Sequence, residues 1–213
     1  MDLHVHTRRF SPCAEQLDPA RLADTMEDRG LHGIVITEHN AMWRLDELNK
    51  LKHGNTRIRI YSGVEISSST GHFVVIGMDN LDGICAGIKT ERIIDKARNC
   101  GAVVILVHHH LNYSDMKSGI DMMSLPPGIE AIEVASNVTF GDQQTDANYY
   151  ADLKNWHPVA GSDAHALDQV GMTFTAFDEL PDDEKMLADA IRNGKGIPMR
   201  SFPNGGRLRA HAT

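Results

Sequence analysis

Six apolar residues in a row, Ala102-Val103-Val104-Ile105-Leu106-Val107, run directly into His108-His109-His110. A short, continuous apolar run rich in β-branched residues reads as a strand covered on both faces. Gly33-Ile34-Val35-Ile36-Thr37 has the same character, and residues 58–66, 72–77, 129–134, 158–160 and 170–177 read as further strands. Helical segments alternate with them. Pro19 after an Asp18 cap opens a helix that ends at Gly30, and residues 43–52, 88–99, 142–154 and 183–193 read as others. Strands alternating with helices favour an α/β fold with a parallel sheet under helices, and about seven βα units fit a closed or nearly closed barrel of the TIM type. An open doubly wound sheet is the alternative, although no Gly-x-Gly-x-x-Gly follows the first strand. A single domain over residues 1–213 is the simplest organisation. Residues 113–128 are hard to assign, and 195–213, with Arg200, Arg207 and Arg209, are expected to form a surface tail.

The polar residues collect at strand ends. Leu3 and Val5 alternate with His4 and His6, so the two imidazoles share a strand face about 7 Å apart and can converge on one cation. His39 follows the second strand, Glu65 lies near the end of the third, His108 follows the apolar run, and Asp163 and His165 follow residues 158–160. A parallel barrel brings all its strand C-termini to one mouth. One His at a strand end is unremarkable, but five such placements are not explained by core packing and point to a metal site. The formal charge of −8 argues against a nucleic-acid grip over the whole surface, leaving a nucleic acid only as a short substrate. Cys13, Cys85 and Cys100 are too far apart for a Cys-rich zinc module, and no apolar run reaches membrane length. A cytoplasmic location is expected, and the oligomeric state is open.

Taken together, Asp2-Leu3-His4-Val5-His6-Thr7, Ile36-Thr37-Glu38-His39-Asn40, Gly63-Val64-Glu65 and Gly161-Ser162-Asp163-Ala164-His165 resemble the motifs of the PHP family (polymerase and histidinol phosphatase) over nearly the whole chain. The resemblance implies a distorted seven-stranded βα barrel, two or three divalent metals at the strand C-termini, and hydrolysis of a phosphate ester. It implies that His4, His6 and Asp163 hold a first metal, that Glu65 bridges it to a second completed by His72 and His108, and that His39 and His165 hold a third. The last ligand of that third site is expected from the loop after Thr7, with Glu15 chosen over Cys13 because a carboxylate suits a harder ion. His109 and His110 compete with His108 for its role. Histidine with carboxylate suits zinc, manganese or iron.

Metal ions of this kind activate water and offset charge on the phosphoryl oxygens. Arg8 and Arg9, directly after the His pair, are the expected anion clamp, with Arg44 a weaker candidate and a solvated loop the bland alternative. Asn137 and Glu133 are expected near the substrate or behind the ligands, and Asp163 or His165 near the leaving group. The expected partner is a small phosphorylated metabolite or short nucleotide. A metal-dependent amidohydrolase and a metal-binding scaffold with a regulatory role are the alternatives.

Overall fold

The computed structural model describes residues 1–51, 57–110 and 120–201, and the backbone of 207–209. Seven strands form one sheet in sequence order: β1 (Asp2–Val5), β2 (Gly33–Ile36), β3 (Arg59–Ser67), β4 (His72–Ile76), β5 (Val103–Leu106), β6 (Ala131–Ala135) and β7 (His157–Ala160). α1 (Leu22–Asp28) links β1 to β2, α2 (Leu45–Leu51) links β2 to β3, α3 (Thr90–Cys100) links β4 to β5, and α4 (Asp142–Lys154) links β6 to β7. The architecture is mixed α/β with a curled sheet.

A uniform (βα)7 arrangement is not what the chain adopts. β4 runs antiparallel to both β3 and β5, while the other neighbours in the sheet are parallel. The cause is the connection: only residues 68–71 separate β3 from β4. A parallel return needs a crossover of a dozen or more residues, so a link this short can only turn back.

Alternation along the strands explains the continuous apolar runs. Ile34 and Ile36 pack with α1 and α2, whereas Val35 faces the other way. Val104 and Leu106 pack with Ile93, Ile94 and Ala97 of α3, whereas Val103 and Ile105 face the other way. The opposite set, with Leu3, Val35, Tyr61, Val74, Val103, Ala131 and Val159, takes a residue from every strand. It is closed by Leu187, Ala188 and Ile191 of α5 (Glu184–Arg192). Thus α5 plugs one end of the curl, and the strand C-termini of the parallel strands open at the other.

The two edges of the sheet meet. Val5 bridges Ala164 in parallel, with His6 N–H donating to the Ala164 carbonyl at 2.9 Å. Asp2, fully buried, accepts from Ser162 N–H (2.7 Å), the Ser162 hydroxyl (2.6 Å) and Gly171 N–H (2.7 Å). β8 (Thr173–Ala176) covers the seam, its Thr175 N–H donating to the Met1 carbonyl at 2.7 Å.

Of residues 195–213, expected as a surface tail, the described ones include two strands. β9 (Ile197–Ser201) pairs antiparallel with β8, and β10 (Arg207–Arg209) with β9. Arg200 is half-buried and donates to the Ser136 and Thr139 carbonyls at 3.2 and 3.1 Å. Of residues 113–128, 113–119 lie outside the described residues, as do His53 and His211. Cys13, Cys85 and Cys100 are free thiols, and among the described residues no helix is long and apolar enough to cross a membrane.

Candidate metal centre

Among the described residues, three groups of donors come together at the mouth of the curl. The first contains His4, His6, Glu65 and Asp163, the second Glu65, His72 and His108, and the third His6, His39 and His165. In the first, His4 Nε2 lies 3.1 Å from His6 Nε2, 3.4 Å from Glu65 Oε2 and 3.4 Å from Asp163 Oδ1. His6 Nε2 lies 3.1 Å from Glu65 Oε2 and 3.3 Å from Asp163 Oδ1. Four donors held tetrahedrally at roughly 2.0–2.2 Å from an ion stand about 3.4 Å apart. The spacing of this group therefore fits a small divalent cation.

Glu65 joins the first two groups. Its Oε2 faces His4 and His6, while its Oε1 takes His72 Nδ1 at 2.6 Å and His108 Nε2 at 3.1 Å. A carboxylate fully buried with one oxygen in each group is placed to bridge two ions. His39 Nδ1 also approaches Oε2, at 3.0 Å. In the third group the three rings cluster, His6 lying 4.2 Å from His39 and 4.5 Å from His165 between ring centroids, and His39 lying 6.0 Å from His165.

The backbone is bent to present these groups. Asp163 has φ 55°, His108 φ 28° and Asn40, directly after His39, φ 51°. Left-handed backbone costs a non-glycine residue roughly 1–2 kcal/mol and gathers at functional sites. Asn40 supports the turn by accepting from Ser67 N–H at 3.0 Å and donating N–H to the Glu65 carbonyl at 2.8 Å.

The second layer orients the rings. His4 Nδ1 donates to Glu133 Oε2 at 2.9 Å, leaving Nε2 to the cluster, an arrangement common behind metal-binding histidines. Burial opposes a charge on His4, but Asp163 and Glu133 outweigh it and hold its pKa well above the usual histidine value. His6 is raised in the same way, with burial outweighed by Asp163 and Glu65. Burial alone would raise Glu65 and Asp163, yet the surrounding imidazoles hold both below the usual carboxylate range. The pocket thus demands positive charge, and divalent ions answer that demand without protons.

Of the other sequence candidates, Asn137 sits beside this group. Its N–H donates to the Ser162 carbonyl at 2.9 Å, next to Asp163, and its buried Nδ2 has no partner. His109 is buried against Tyr150 outside the three groups, its pKa pushed down to about 4 by burial, and His110 is lowered for the same reason. Glu15 is exposed and belongs to none of the groups, and Cys13 is exposed as well. The loop turns through a short 3-10 segment, Pro12–Ala14, which buries Ala14 and leaves Glu15 outside. Arg8 donates to Asp18 at 2.6 Å. Arg9 pairs with Glu47 and lies over the Phe10 and Trp43 rings. Arg44 is on the surface, paired with Asp46. All three expected clamps are engaged elsewhere. Asp2, Ser11 and Glu38 are buried beside the site without having been singled out. The signal lay in their place, inside or next to the motif segments.

Residues 142–195 match the family model described as PHP-associated. No curated protein sequence matches the chain. Solved structures with the same fold include a two-domain protein containing a predicted PHP-like metal-dependent phosphoesterase from Bacteroides vulgatus, 20% identical, TM-score 0.66, covering 92% of this chain and 63% of that one. An amidohydrolase from Chromobacterium violaceum, solved with sulfate and no metal, is 17% identical, TM-score 0.64, over 98% of this chain and 97% of that one. A lesion-specific endonuclease from Pyrococcus furiosus is 13% identical, TM-score 0.66, over 98% of this chain and 56% of that one.

Proposed function

We infer that this chain, of PHP type in its fold and in its matched segment 142–195, is a metal-dependent hydrolase whose substrates are phosphate esters. The observation that carries the reading is the tetrahedral spacing of His4, His6, Glu65 and Asp163, with Glu65 reaching on to His72 and His108. His4, His6, Glu65 and Asp163 would hold one divalent ion, and Glu65, His72 and His108 a second. His39 and His165 would serve a third, with His6 beside both. Zinc, manganese and iron all suit this donor set. When bound, such ions lower the pKa of water and neutralise phosphoryl charge.

The chain's own groups then have distinct tasks. Asn137 would offer its unpartnered amide to a substrate oxygen beside Asp163. Arg8 and Arg9 would reach a substrate only by leaving Asp18 and Glu47. Asp163 is held ionised by the imidazoles, and burial with His6 keeps the His165 pKa below its ordinary value. At neutral pH both are therefore unprotonated, as ligands to a cation must be. Residues 1–213 act as one domain in this reading, in the cytoplasm, on a small phosphorylated metabolite or a short nucleotide.

The test is reconstitution of the protein with zinc, manganese or iron, followed by a screen of phosphomonoesters, phosphodiesters and amides. Metal uptake with turnover of a phosphate ester is expected. Failure to take up any of the three ions overturns the reading. Turnover of amides alone would favour the amidohydrolase alternative, for which the likeness to the Chromobacterium violaceum fold speaks. The full donor set weighs against a purely regulatory scaffold.

A further inference from the structure

Glu38 is fully buried next to His39, yet it belongs to none of the three donor groups. Its carboxylate takes four donors. Oε1 accepts from the Trp43 indole N–H at 2.7 Å and from the Thr7 hydroxyl. Oε2 accepts from Thr7 N–H at 3.1 Å and from the Ser11 hydroxyl at 2.6 Å. A carboxylate in this role only accepts, so the one hydroxyl proton of Ser11 is committed to Glu38.

Ser11 Oγ has two further neighbours, the His39 N–H at 3.2 Å and His6 Nδ1 at 3.3 Å. With its proton committed, the oxygen can only accept from both. His6 Nδ1 therefore carries a hydrogen, and His6 Nε2 is left with its lone pair toward Glu65 and Asp163. We propose that Glu38, acting through Ser11, is the positioning pair that fixes His6 as an Nε2 metal ligand and anchors the backbone of His39 with the same hydroxyl. This rests on the metal-centre reading above. His4 of β1 and His6 just after it are then held by different devices: His4 by a carboxylate directly, at Glu133, and His6 by a carboxylate through a serine. Trp43 belongs to the same frame, because its indole N–H holds Glu38 while its carbonyl accepts from the Ser62 hydroxyl at 3.0 Å.

The test uses the metal-free full chain and zinc in competition with a chromophoric chelator, for wild type, Ser11→Ala and Glu38→Gln. The second readout is the imidazole Nδ1–H resonance of His6 in zinc-loaded protein, with its exchange rate against water. Wild type should show a slowly exchanging Nδ1–H. Ser11→Ala should lose that protection and bind zinc about 10- to 100-fold more weakly, the range found when such supporting groups are removed. Glu38→Gln should act in the same direction, because its amide N–H₂ faces donors. Zinc binding by Ser11→Ala equal to wild type would overturn the proposal and leave the metal centre standing. So would a weaker affinity with the His6 resonance unchanged, which would make the pair a brace for the loop alone. A wild type that takes up no zinc would overturn the metal-centre reading itself, and the proposal with it.

Discussion

A β-carbon placed on Gly161 would lie 2.5 Å from the Cβ of His4 and 2.7 Å from its backbone nitrogen. The backbone after β7 thus passes directly over the first candidate ligand, and only a residue without a side chain fits between them. Gly161→Ala must push His4 or the Asp163 loop outward. It is expected to destabilise the fold by about 1–3 kcal/mol, the usual cost of overpacking. It should also weaken binding of the ion that His4 and Asp163 would hold. Urea unfolding with and without added zinc measures both, and an unchanged midpoint in each condition would contradict the crowding at this seam.

Glu65→Gln keeps the volume and removes the charge shared by the first two groups. The variant is expected to lose at least one equivalent of metal. Hydrolysis should fall roughly a hundredfold or more, because metal stabilisation of the transition state is worth several kcal/mol. Elemental analysis alongside kinetics decides it, and full metal content with normal turnover would remove Glu65 from the bridging role.

Glu15→Ala is expected to keep its full complement of metal, against the expectation drawn from the sequence, because Glu15 is exposed and outside the donor groups. Cys13→Ser should keep it too. Partial burial of the Cys13 sulfur raises its pKa, and the carboxylates of Glu65, Asp163 and Glu38 add to the shift, so the thiolate that would ligate is disfavoured. Metal counting on the two variants in parallel is the check. A lost equivalent in either would bring that side chain into the third group.

The stability of the metal-free protein should decline as pH rises above 6.5. His4, His6 and His108 have folded pKa values raised above 6.5, so the folded state binds more protons there, and their contribution is lost as pH rises through those values. His109 is held down at about 4 and His165 is lowered as well, so the part these two contribute falls as pH drops from 6.5, while Asp2 and Glu133, raised by burial, contribute in the opposite sense. Ligation needs unprotonated histidine, so added zinc should remove the decline on the alkaline side. Thermal melting across pH 4–9 with a chelator or with zinc would reveal the curve, and a metal-free melting temperature that climbs steadily to pH 9 would contradict it.

The helices and strands were legible where periodicity and caps agreed. Residues 142–154 were read as a helix, and α4 has those bounds. The convergence of His4, Glu65, His108 and Asp163 was legible because each lies in or just after a segment that reads as a strand, His108 closing a continuous apolar run. The direction of β4 was not read, because apolar alternation is the same in either direction. The short link at 68–71 held that information. Arg8 and Arg9 were expected in the mouth because they follow His6 in sequence. After Thr7 the loop turns outward, Arg8 N–H donating to the Leu17 carbonyl at 3.0 Å, and adjacency along the chain ceases to mean adjacency in space. The contacts of Glu38 are not legible in its motif, since they depend on a serine 27 positions earlier.

The reversed strand has a consequence for how the chain can change length. Between His6 and His39, or between His72 and His108, the backbone leaves the mouth, passes through a helix and returns, so added residues can be absorbed on the outside. Between Glu65 and His72 there is no such detour. Ser67 pairs directly with His72, and Ser68 N–H donates to the Gly71 carbonyl at 2.8 Å to close the turn. One residue inserted into β4 beside this turn would shift the register and send His72 to the opposite face of the sheet. Here the number of residues, more than their identity, is what the chemistry constrains, and this hairpin is where insertions and deletions would be least tolerated.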